Sequence, residues 1–114
     1  MGLFASKSRL DEIKERVDRF AKTPASAEDY DICTTMLFED KINLGRMEVW
    51  FQFSIAVRHH LPVNEHEKLD SMVQYWFCIL ETNLVEHTHR IDEMKKQWKN
   101  GQWTIVRKHI QTSL

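Results

Sequence analysis

The residues whose types and spacing could support covalent chemistry stand at the start of the chain. Met1-Gly2-Leu3-Phe4-Ala5-Ser6-Lys7 fits the Met-Gly-x-x-x-[Ser/Thr] acceptor pattern for N-myristoylation, with Gly2, Ser6 and Lys7 as its defining residues. Removal of Met1 must expose a small residue, and only glycine offers an unhindered α-amine to an acyl-CoA. Ser6 stands where the pattern wants a hydroxyl, and a lysine after it is a further feature of acceptor peptides. One myristoyl chain gives only marginal membrane binding, so a second signal is expected beside it. Lys7, Arg9, Lys14, Arg16, Arg19 and Lys22 are the candidate membrane-binding residues, six cations against the four carboxylates Asp11, Glu12, Glu15 and Asp18. Such a cluster assists contact with anionic lipid without dominating it, and it serves equally as an exposed helix face with pairs such as Glu15 and Arg19.

A second basic region lies near the other end. Lys95, Lys96, Lys99, Arg107 and Lys108 are interleaved with Trp98 and Trp103. Cations beside indoles suit single-stranded nucleic acid, in which bases stack on rings and phosphates meet charge, so Lys95, Lys96, Lys99, Trp103, Arg107 and Lys108 form an alternative nucleic-acid site. They also suit a helix C-terminus, where the macrodipole favours positive charge. Glu86-x-x-His89 has the spacing of a di-iron carboxylate ligand pair, but no second copy exists to complete such a site. No glycine-rich phosphate loop, nucleophile motif or paired acid and base appears, and no metal or cofactor is expected. The reading is therefore non-enzymatic, with no small-molecule substrate.

The elements that must position these residues follow from composition and periodicity. The chain has 114 residues, 42% hydrophobic and 29% charged, with 3 Gly and 2 Pro. That length builds one core but not two, and the scarcity of Gly and Pro argues against a disordered chain. The formal net charge of −1 removes the overall basicity common in nucleic-acid proteins. Cys33 and Cys78 sit in apolar segments outside any Cys-x-x-Cys pair and read as reduced, buried thiols. The longest apolar run, Trp76 to Leu80, is far short of the roughly 20 residues of a membrane span, and the first 25 residues lack a secretory apolar stretch. A cytoplasmic protein is expected, peripheral on the cytosolic face of a membrane if Gly2 is acylated.

The pattern predicts an all-α fold, a small bundle of four to five helices, forming one domain over 1–114 with residues 1–7 a flexible acceptor peptide. Ser8 caps a first helix with its stripe at Leu10, Ile13, Val17 and Phe20, ended by Thr23-Pro24. Ser26 with Asp29 signals a second helix over about 27–44, interrupted at Gly45. Met47 to Arg58 alternates strictly by period two, yet also carries a helical stripe at Trp50, Phe53, Val57 and Leu61. A buried helix is favoured there, because the only other strand-like segment is 103–110 and two short strands alone make a marginal sheet. Short strands at 47–57 and 103–110 stand as the other reading. Pro62 breaks the chain, and Asn64 with Glu67 caps one long helix over about 65–99. Its length of about 50 Å forces it to bend, project or pair, with Thr82-Asn83 the expected bend. Leu69, Val73, Trp76, Leu84, Ile91, Met94 and Trp98 along it form the expected interaction face, and Phe20, Leu37, Phe53, Trp76, Phe77 and Leu80 the core.

In layout, a small helical domain with a Met-Gly start followed by basic residues is similar to retroviral matrix domains, which carry a denser Lys/Arg cluster near the start than this chain does. The layout implies a membrane-associated binding or assembly protein of matrix or adaptor type, viral in kind, with other proteins, itself and anionic membrane as partners. The alternative is a soluble, oligomeric interaction module, a viral, phage or bacterial assembly factor or inhibitor that pairs through the Leu69 to Trp98 stripe. Nucleic-acid binding stands third.

Overall fold

The computed structural model describes residues 25–39 and 41–101, together with Glu12, Glu15, Arg16, Asp18, Arg19 and Thr23. Among the described residues the fold is all-helical, with four α-helices: α1 (Ala27–Phe38), α2 (Leu44–His60), α3 (His66–Asn83) and α4 (Thr88–Lys99). Single 3₁₀ turns, Val63–Glu65 and Val85–His87, lead into α3 and α4. The Gly2 acceptor peptide, the basic residues Lys7, Arg9, Lys14 and Lys22, the predicted core residue Phe20 and the whole 103–110 segment lie outside the described residues.

Side-chain chemistry sets the helix ends. Ser26 Oγ accepts from the Asp29 N–H at 3.1 Å while Asp29 Oδ2 accepts from the Ser26 N–H at 3.1 Å, the reciprocal box expected from the sequence. Helix α1 stops at Phe38 rather than near residue 44. Asn43 is the reason: its Oδ1 accepts from the Arg46 N–H at 2.9 Å and starts a new helix, which takes Gly45 into its first turn. Arg46 then turns back, and its Nη1 donates to the Leu37 carbonyl at the end of α1. Leu61 is extended ahead of Pro62, as the proline ring requires, and this ends α2.

The predicted 65–99 helix is broken in two. Thr82 Oγ1 donates to the Cys78 carbonyl at 3.0 Å and Asn83 Nδ2 to the Ile79 carbonyl at 2.8 Å, and Leu84 leaves helical geometry at φ −125°, ψ 57°. The chain then reverses, so that Lys95 on α4 reaches Glu81 on α3 and Trp98 reaches Asp70. The excess length is thus absorbed as a hairpin rather than as a projection. Its end is the predicted Asn100-Gly101 stop, where Gly101 adopts φ 69°.

Met47 to Arg58 is helix, not strand. Its alternation and its helical stripe coexist because α2 is buried nearly all round, with Met47, Trp50, Phe51, Phe53, Ser54, Ile55, Ala56 and Val57 all inside. Trp50 meets Phe77 edge-on at 5.4 Å, Phe51 reaches Phe77 and Trp98, and Phe53 stacks on Tyr30 at 6.0 Å. Each such ring contributes roughly 1.5–3 kcal/mol by burial, and α2 supplies three of them, Trp50, Phe51 and Phe53. The Ser54 hydroxyl bridges the Trp50 carbonyl at 2.7 Å and the Tyr30 hydroxyl at 3.1 Å, whereas Thr34 Oγ1 and Trp50 Nε1 are buried with no hydrogen-bond partner. Leu37, Phe53, Phe77 and Leu80 are buried as predicted, whereas Trp76 is only half-buried.

Candidate interaction surfaces

The two flanks of α3 differ in what covers them. At about 100° per residue, Leu69, Val73, Phe77 and Leu80 form one stripe, and all four are fully buried. Met72, Tyr75, Trp76 and Ile79 follow at spacings of three and four on the flank turned away from α4. Tyr75 is 62% exposed, and Met72, Trp76 and Ile79 are half-buried. Trp76 leans on Phe38 of α1 at 5.9 Å, and Tyr75 sets its ring edgewise to Trp76 at 5.9 Å. Two aromatic rings, an isoleucine and a methionine make an apolar strip of the composition that dominates protein interfaces, with methionine able to adapt its shape.

The opposite flank is charged and closed. Arg58 of α2 donates to both oxygens of Asp70, from Nε at 3.1 Å and Nη2 at 3.3 Å, and Trp98 Nε1 donates to Asp70 Oδ1 at 3.1 Å. One carboxylate thereby ties α2, α3 and α4 together, with the Arg58 guanidinium 6.0 Å from the Trp98 ring centre. Arg58, Asp70, Gln74, Lys95, Trp98 and Lys99 line an open cleft of about 540 Å³ at this junction. Lys95 Nζ donates to Glu81 at 3.1 Å. Arg90 makes a two-point contact to Glu48 at 2.6 and 2.8 Å, and the guanidinium pKa is raised by that hydrogen bonding.

The predicted interaction face is thereby corrected. Leu69, Val73, Ile91 and Met94 have no exposed surface, and Leu84 and Trp98 are buried, so these six seal the chain's own α3–α4 seam. Trp76 alone of the seven reaches the exterior. A near-heptad stripe fits a seam within one chain as well as a seam between two, so periodicity could not separate them. The signal that could have marked the outer strip is the second apolar set, Met72, Tyr75 and Ile79, offset from the first on the same helix. In the N-terminal basic group, Arg16 Nη1 donates to Asp29 at 2.8 Å, which makes this cation structural in part, while Arg19 is exposed. In the alternative nucleic-acid group, Lys95 is tied to Glu81, Lys96 and Lys99 are exposed, and Trp103, Arg107 and Lys108 lie outside the described residues.

Among the described residues no helix is long and apolar enough to cross a membrane, and no group of three His, Cys, Asp or Glu side chains gathers to hold a metal ion. Burial pushes the Cys33 thiol up to about 12, whereas Cys78, expected to be buried, is exposed on α3. No family model, curated protein or solved structure matches the chain.

Proposed function

We propose that this chain is a binding and assembly protein of matrix or adaptor type, held on the cytosolic face of a membrane by a myristoyl group on Gly2. The observation that carries the reading is the Met1-Gly2 start with Ser6 and Lys7 in place. The exposed Arg19 and its basic neighbours supply the second, electrostatic contact that a single acyl chain needs. The apolar strip on α3 supports the protein-binding half, since it sets an exposed tyrosine beside a half-exposed tryptophan, residue types enriched at protein interfaces.

Intact mass of the protein from a eukaryotic host, wild type against Gly2→Ala, tests the proposal. One added myristoyl group on the Met-cleaved wild type, with flotation on anionic liposomes lost in the variant, is the expected result. An unmodified Gly2 or a retained Met1 rejects the anchoring. The reading then becomes the soluble interaction module, which the α3 strip favours because it does not depend on lipid. The nucleic-acid reading carries least, because Lys95 is engaged by Glu81.

A further inference from the structure

A part-buried ion pair holds the N-terminal basic stretch to α1. Arg16 Nη1 donates to Asp29 Oδ1 at 2.8 Å, while Asp29 Oδ2 is already engaged by the Ser26 cap. Arg58 and Arg90 grip their carboxylates through two N–H groups each, whereas Arg16 uses one, and 25% and 27% of the two paired side chains stay open to water. Cys33 stands one turn along α1 from Asp29, on the same edge, and has no exposed surface. Beyond its burial, the charges that act on this thiol are those of Arg16, Asp29, Arg19 and Glu12, which puts the basic stretch across that edge.

Docked in this way, the stretch keeps one of its cations from the outside. Among its described residues Glu15, Asp18 and Arg19 are exposed, two carboxylates against one cation, while Arg16 faces Asp29. For Arg16 as well as Arg19 to meet an anionic surface, the Asp29 contact must open. A lipid phosphate offers the guanidinium the two-point contact that Asp29 does not give it. We infer that the Arg16–Asp29 pair is a latch which an anionic membrane opens, exchanging carboxylate for lipid phosphate and uncovering the Cys33 edge of α1. That edge carries Asp29, Cys33 and the half-buried Met36. Assembly is thereby tied to lipid contact, because the bound form presents a surface that the free form withholds.

This inference rests on the anchoring reading, and its test reads the two separately. The myristoylated full chain carrying Cys78→Ser keeps Cys33 as its one thiol. Alkylation of Cys33 by a neutral maleimide is followed by mass spectrometry on the free chain, on the chain floated with phosphatidylcholine vesicles, and on the chain floated with vesicles that also contain phosphatidylserine. Cys33 is expected to react slowly in the free chain and about tenfold faster in Arg16→Gln with unchanged far-ultraviolet circular dichroism. The chain with Arg16 intact should match that variant on phosphatidylserine vesicles and stay slow on phosphatidylcholine alone. A Cys33 that stays slow on phosphatidylserine vesicles to which the chain is bound overturns the inference and leaves the anchoring intact. Equal acceleration on both vesicles overturns it too, because acyl insertion and not the anionic headgroup would then open the edge. An Arg16→Gln rate equal to the parent's overturns the latch. A chain that floats with neither vesicle rejects the anchoring reading and this inference with it. The vesicle comparison alters nothing at the latch, so it decides the matter even where Arg16→Gln does not fold.

Discussion

One flank of α3 is closed by four fully buried side chains and pinned through Asp70 and Glu81, while the other carries an apolar strip that α1 only half covers. The same eighteen residues thus hold a covered face and a partly uncovered one. Hydrophobic period alone is blind to the difference, since both flanks repeat at three and four. What separates them is charge: the closed flank places carboxylates where cations of α2 and α4 can reach them, and the open flank has none along its centre.

Mutations on the two flanks should diverge accordingly. Phe77→Ala, which empties a site shared by Trp50 and Phe51, is expected to cost about 3–5 kcal/mol in urea unfolding, and a loss under about 1 kcal/mol would mean that the flank is not the sealed core described. Alkali probes burial without removing atoms. The Cys33 thiol, raised to about 12, ionises later in the fold than in the unfolded chain, so its contribution is intact below the ordinary thiol value of about 8.5 and is lost as pH climbs toward 12. Stability should fall by up to about 1.4 kcal/mol per pH unit across that window. Tyr30, its phenol also raised by burial, adds a fall of the same sign above about pH 10. Cys33→Ala should flatten the unfolding midpoint between about pH 9 and 10, where the thiol acts before the phenol. A slope equal to wild type would show the thiol to be solvated.

Asp70→Ala removes the acceptor that Arg58 and Trp98 share and is expected to cost about 1–3 kcal/mol, with Arg58→Ala in the same background adding little. Full additivity of the two in a double-mutant cycle would dissolve the clamp. Smallest is the outer flank, where Tyr75→Ala should stay within about 0.5 kcal/mol of wild type. A loss as large as that of Phe77→Ala would show the strip to be part of the monomer's own core.

Much of the fold was legible because its signals were local. Ser26 with Asp29, the Pro62 break and the Asn100-Gly101 stop each act through neighbouring atoms and stand where the sequence put them. The misses were tertiary. Asn43 reads as a helix-interior residue until its side chain is seen to cap α2, and the bend expected at Thr82-Asn83 stands in its place but is a full reversal of the chain, which the apolar repeat running on through Leu84 does not announce. Of the site, the stripe from Leu69 to Trp98 was found, but its side was not assignable, because a sequence does not say whether an apolar face meets its own chain or another.

The double pattern of Met47 to Val57 has a consequence for the unfolded protein. As helix α2 it is enclosed by α1, α3 and α4, but released on heating it also offers Met47, Val49, Phe51, Phe53, Ile55 and Val57 on one side of an extended strand. Such a segment, low in charge and free of proline, is the material of stacked intermolecular sheets, with Arg46 and Arg58 at its ends as the charges that discourage stacking. Thermal unfolding of this chain should therefore end in amyloid-like aggregate rather than in a recoverable coil, and removing either flanking arginine should hasten that fate.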